Sequence, residues 1–150
     1  MLKKYKIALD LWGLALFCAI MVPTFIWAVV PAPNDILRNT SATVQLDRFS
    51  SVCQVVMAVT LCMLVNRTYK KSRLTSLYIV LSLFFCPLYF GTWSLYYAGK
   101  TEPWVILALC IFPCIAFLFY ALARKNAIAT LFVILFSICH LMHGVLNFII

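Results

Sequence analysis

The stretch Trp104–Ile150, WVILALCIFPCIAFLFYALARKNAIATLFVILFSICHLMHGVLNFII, decides how the chain folds. Its only charged residues are the adjacent Arg124 and Lys125. The apolar runs on either side, Trp104–Ala123 and Ala127–Ile150, are each long enough as a helix to cross a hydrocarbon core of about 30 Å. Arg124-Lys125-Asn126 leaves room only for a tight turn, so the two runs are expected to be antiparallel helices packed side by side.

The same test along the rest of the chain adds Ile7–Val30, Leu74–Ala98 and Phe49–Val65, the last of marginal length. Hydrophobic residues make up 65% of the sequence and charged residues 11%, against roughly 45–50% and about 25% in soluble domains. A globule of this size still exposes about 30% of its unfolded surface, so lipid must be the solvent for most of this chain. Strand-like alternation is absent, which argues against a membrane barrel. The expected fold is an all-α membrane protein, one transmembrane bundle over residues 1–150 with five helices and an outer loop over 31–48.

The formal net charge of +8 does not point to nucleic acid, because the charges are segregated. Lys3, Lys4 and Lys6, then Arg67, Lys70, Lys71 and Arg73, then Arg124 and Lys125 form three basic patches. Arg38, Arg48 and Lys100 lie in segments that also hold Asp35, Asp47 and Glu102 and are close to neutral. With five spans all three patches fall on one side, which the positive-inside rule makes cytoplasmic. The N-terminus is therefore expected inside and the C-terminus outside. The first span could also be a signal peptide, but its apolar run is too long and lacks a small-residue cleavage motif, so a retained helix is expected.

The seven cysteines all fall within spans, where thiols behave as small hydrophobes, and no disulfide framework is expected. Gly99–Pro103 and Asn66–Arg73 are short links, and only Pro31–Arg48 is long. Within it Asn34-Asp35 offers a helix N-cap before Ile36 and Leu37, consistent with a short interfacial helix or a lid. Asn39-Thr40-Ser41 would be a glycosylation sequon in a eukaryote. No internal repeat of the kind that builds transporters is present. Pro23, Pro87 and Pro113 interrupt spans and either kink the packing or widen a cavity. Asp10, the only acid inside a span, lies near the basic edge, where water or Lys6 four residues earlier on the same face could satisfy it.

Polar groups gather toward the opposite edge. His140 is about 20 Å along the last span, and His143 and Asn147 share its face at helical spacing, with Gly144 allowing close approach of a neighbour. Trp93, Tyr96 and Tyr97, then Trp104, then Asp47 and Arg48 come from other spans to the same layer. An aromatic belt at the membrane interface accounts for part of this asymmetry, and helix-to-helix hydrogen bonding is the plain role for the histidines. The sharper expectation is an outward-facing pocket, because an ionisable residue within a membrane marks a functional site by default.

Catalytic chemistry finds little support. There is no GxSxG, no paired carboxylate, no phosphate-cradling glycine loop and no CxxC. His140 and His143 could join a metal ion only with ligands from elsewhere, Cys139, Asp47 and Glu102 being the sole candidates. Two histidines on one helix do not make a bis-histidine haem. Neither a metal nor another cofactor is expected.

Three stretches, VPTFIWAV (22–29), FPCIAFLFYALARKN (112–126) and FSICHLMHGVLNF (136–148), resemble an uncharacterised family of small multi-span membrane proteins from Gram-positive bacteria. Members of that family begin the second helix with a Glu- and Arg-containing segment, where this sequence has QLDRFSS (45–51) with Asp47 as the acid. The resemblance implies topology and a bacterial plasma membrane, but no activity.

The leading expectation is an integral membrane protein that binds a small apolar or aromatic ligand, as receptor or transport component. His140, His143 and Asn147 would line the pocket, Trp93, Tyr96, Tyr97 and Trp104 would stack on the ligand, and Asp47 or Arg48 would set charge. The rival is an interaction protein, an immunity factor or accessory subunit, that meets a membrane partner through small residues such as Gly91, Ser94 and Ala98. A membrane enzyme with unrecognised chemistry comes third.

Overall fold

The computed structural model describes residues 4–70 and 72–150. Lys3 and Lys71, members of the first two basic patches, lie outside the described residues. The elements run β1 (Tyr5–Ile7), α1 (Leu11–Val29), α2 (Val44–Met63), β2 (Leu64–Asn66), α3 (Arg73–Tyr97), α4 (Pro103–Ala123) and α5 (Ala127–Phe148). Among the described residues these five helices are long and apolar enough to cross a membrane, as in a multi-pass membrane protein.

Helices α1, α3 and α5 start where a side chain satisfies a free N–H group, and α4 starts at a proline that has none. Asp10 accepts from Gly13 N at 3.4 Å ahead of α1. Ser72 and Thr75 form a reciprocal capping box on α3, Pro103 opens α4, and Asn126 accepts from Ala129 N at 3.1 Å ahead of α5. Gly99, between α3 and α4, has φ of +86°, a left-handed conformation that costs glycine nothing.

Helix α4 is the most buried of the five and packs between α3 and α5, while α5 also packs along α2. Helix α1 lies more loosely against α2, α3 and α4. The outer surface carries large apolar side chains, among them Phe25, Val55, Val80, Leu83, Phe84 and Leu131, as expected where lipid is the solvent. Gly91, Ser94 and Ala98 are also exposed, on α3.

Two boundaries differ from the sequence reading. Tyr5–Ile7 forms β1, which pairs antiparallel with β2, Tyr5 opposite Asn66 and Ile7 opposite Leu64; the first span therefore starts at Leu11 and the fold is not purely helical. Helix α2 begins at Val44 rather than Phe49, because Gln45, Asp47 and Arg48 continue the helix beyond its apolar run. The connecting loop shortens to residues 30–43 and contains one 3-10 turn, Ile36–Arg38.

The end that holds β1, β2 and the α4–α5 turn, here the basic end, is tied by hydrogen bonds. Asn126 is 2% exposed and donates to Thr60 O at 3.0 Å and Leu64 O at 2.6 Å. Arg124 Nε donates to Asp10 Oδ2 at 2.6 Å. Lys6 is not the partner of Asp10, since it lies in β1 and not on the helix.

Close approach of α4 and α5 depends on Gly144, where an added Cβ would come 2.6 Å from Cys110 Sγ. Gly144→Ala is accordingly expected to cost about 1–3 kcal/mol. Cys110→Ala in the same chain should restore most of it, read as a coupling energy in thermal unfolding in detergent. Simple additivity of the two changes would disprove the contact.

Candidate functional site

At the opposite end, here the loop end, a chamber of about 290 Å³ opens between the helices. Helix α1 contributes Thr24 and Trp27, α2 contributes Gln54, α3 contributes Tyr89 and Trp93, and α5 contributes His140 and His143. Pro113 of α4 also lines it, so this proline sits where the bundle widens. Leu37 from the loop lies against the same space.

The wall is mainly apolar with a few polar tips. Thr24 Oγ1 and the Tyr89 hydroxyl are 3.4 Å apart. His140 stacks on Phe136, ring centroids 5.0 Å apart and planes 18° from parallel. Trp93, 7% exposed, stands edge-on to Tyr89, and its indole N–H has no hydrogen-bond partner.

The nine residues singled out from the sequence separate into three groups. His140, His143 and Trp93 line the chamber. Asp47, Asn147, Tyr96 and Tyr97 instead hold the loop and helix ends together. Trp104, 56% exposed, and Arg48, also exposed, lie outside it.

Asn147 ties the loop to α5. Its Oδ1 accepts from Ala42 N at 2.7 Å and Ser41 Oγ at 3.3 Å, and its Nδ2 donates to Thr43 Oγ1 at 2.6 Å. His143 Nδ1 is 2.6 Å from Asp47 Oδ1 and 3.0 Å from Asn147 Nδ2. The first contact needs a proton on Nδ1 and the second needs a lone pair, so the tautomer sets which neighbour this nitrogen serves.

Asp35 was not among the expected site residues, and it is the hub of the loop. Trp27 Nε1 donates to both its carboxylate oxygens at 2.9 Å. The Tyr96 hydroxyl donates to Oδ1 at 2.8 Å, and Arg38 Nε donates to Oδ2 at 2.8 Å. The Tyr96 hydroxyl also accepts from Leu37 N at 3.2 Å, and the Arg38 guanidinium lies 5.0 Å over the Trp27 ring. Burial alone would raise the Asp35 pKa, but the hydrogen bonds from Trp27, Tyr96 and Arg38 outweigh it and hold the carboxyl below its ordinary value. Asp35 takes the N-cap position of the 3-10 turn, but its side chain accepts from none of the turn's backbone N–H groups. Tyr97 adds a further tie, its hydroxyl donating to Val30 O at 2.7 Å.

The cysteines are all free thiols, six buried and Cys18 exposed. Among the described residues no group of three or more His, Cys, Asp or Glu is placed to hold a metal ion. Comparison with known protein families, with curated proteins and with solved structures finds no match to this chain.

Proposed function

We propose that the chain is a plasma-membrane protein, bacterial by its sequence resemblance, that binds a small apolar or aromatic molecule in the loop-end chamber, as a receptor or transport component. Its N-terminus is cytoplasmic and its C-terminus outside, which the segregation of basic residues supports. The observation that carries the ligand reading is a mainly apolar chamber lined by aromatic rings and two imidazoles. Its volume is near the lower limit of ligand pockets, about 300–1,000 Å³, and suits a single small ring system.

Indole is a suitable probe. In detergent it is expected to stabilise the protein by about 1.4 kcal/mol at ten times its Kd. His140→Ala should abolish the shift, because it removes a chamber wall while leaving the loop ties untouched. An unchanged shift in that variant, or none in the parent protein, rejects the reading. If His140→Ala instead alters association with another membrane protein, the interaction reading replaces it. Orientation has its own test: a membrane-impermeant maleimide should label Lys100→Cys in intact cells and leave Lys125→Cys unlabelled.

A further inference from the structure

A second and larger cavity, about 670 Å³, lies toward the basic end between α1 and α3. Trp12, Ala15 and Ala19 of α1 face Ile79, Ser82 and Leu83 of α3 across it. It exists because α1 packs loosely on α3 and because Ala15, Ala19 and Ser82 fill little of the gap. Trp12 and Leu83 on its rim are 77% and 59% exposed, so the trough meets the surrounding lipid rather than the bundle interior.

One end of this apolar trough is cationic. Arg124 lines it together with Tyr69 and Tyr120. The guanidinium stacks on the Tyr69 ring at 4.7 Å and gives Nε to Asp10. Among the described residues its two terminal nitrogens donate to no carboxylate or backbone carbonyl. Part of the arginine fork thus remains for an anion, in the planar geometry that suits phosphate.

The wider field has the same sign. Asp10 is the only acid in the segments at this end, and Arg124 and Gly13 N already engage it. The three acids at the loop end are matched by Arg38, Arg48 and Lys100, so the whole formal charge of +8 belongs to the basic segments. An apolar trough open to lipid, ending at a partly free guanidinium in a basic surround, is complementary to an amphiphile with one anionic head.

We propose that this trough is a binding site for an anionic phospholipid, with one acyl chain between α1 and α3 and the phosphate on Arg124. Basic pockets between transmembrane helices commonly take anionic headgroups. The site is separate from the loop-end chamber and does not depend on it.

The test is native mass spectrometry of the full chain released from neutral detergent containing equimolar phosphatidylglycerol and phosphatidylcholine. The parent protein should retain phosphatidylglycerol about tenfold over phosphatidylcholine. Ala19→Phe fills the trough without touching the Asp10–Arg124 pair and should remove that retention at an unchanged unfolding temperature. Arg124→Lys keeps a positive partner for Asp10 but loses the fork, and should cut the preference several-fold. His140→Ala should leave it intact. Equal retention of the two lipids by the parent protein overturns the proposal, as does undiminished phosphatidylglycerol on a folded Ala19→Phe variant. Competition by oleate as effective as by phosphatidylglycerol also overturns it, since the site would then select any anionic amphiphile and not a phospholipid.

Discussion

Arg124→Ala is expected to cost about 3–5 kcal/mol, the usual penalty for removing one partner of a shielded ion pair and leaving the other charge behind. The Asp10 side chain is only 5% exposed and that of Arg124 25%, so the stranded group would be the poorly hydrated carboxylate. Helix dipoles add to the pairing: Asp10 precedes the N-terminus of α1 and Arg124 follows the C-terminus of α4, each charge at the end that favours it. Asp10→Asn should be milder, about 1–2 kcal/mol, because its amide oxygen can still cap Gly13 N and the more exposed Arg124 can reach water. The double variant should resemble Asp10→Asn, since no buried charge is left unpaired. Denaturation of the detergent-solubilised protein, followed by far-UV circular dichroism, gives all three values. Equal losses for the two single variants would show that the pair is not the source of the effect.

That ion pair also marks where sequence reasoning reaches its limit. The helices were legible because apolar run length is a property of contiguous residues, and the three basic patches supported an odd number of spans. Asp10 was legible as a group needing a partner, but the partner was sought four residues away on an assumed helix. Lys6 is in β1 instead, and the partner comes from a turn more than a hundred residues later. Strands as short as Tyr5–Ile7 and Leu64–Asn66 leave no periodic signal to read.

The loop end repeats the pattern. The i, i+3, i+7 spacing correctly put His140, His143 and Asn147 on related faces of one helix. It could not say that His140 would line the chamber, that His143 would meet Asp47, or that Asn147 would be used up by Ala42, Ser41 and Thr43. Tyr96 and Tyr97 were read as stacking groups because aromatic rings suggest it. What the sequence could not show is that their hydroxyls reach Asp35 and Val30. Asp35 itself looked like a cap because Asn34-Asp35 precedes an apolar pair; only the fold brings Trp27 and Tyr96 to it.

Asp35→Asn should release the 30–43 loop. The native carboxylate accepts from Trp27, Tyr96 and Arg38 at once, and an amide would turn an NH2 donor toward groups that are themselves donors. Losing these contacts is expected to cost about 3 kcal/mol, roughly a hundredfold rise in the open population. Hydrogen exchange read by mass spectrometry on the loop peptide reports that population, because Leu37 N–H is protected by the Tyr96 hydroxyl only while the loop is closed. Leu37 and Trp27 line the chamber, so faster exchange should be accompanied by weaker stabilisation by indole. The pH dependence has a definite sign. The folded carboxyl is held below its ordinary value of 3.8, so its contribution is complete above that pH and disappears as pH falls through the lower folded value. After correction for intrinsic exchange rates, protection in the parent protein should be flat from pH 8 to about pH 5 and drop only below 3.8, whereas Asp35→Asn should be unprotected throughout. Equal exchange in the two proteins at neutral pH would mean that α1 and α3 hold the loop by packing alone, and that Asp35 is not its latch.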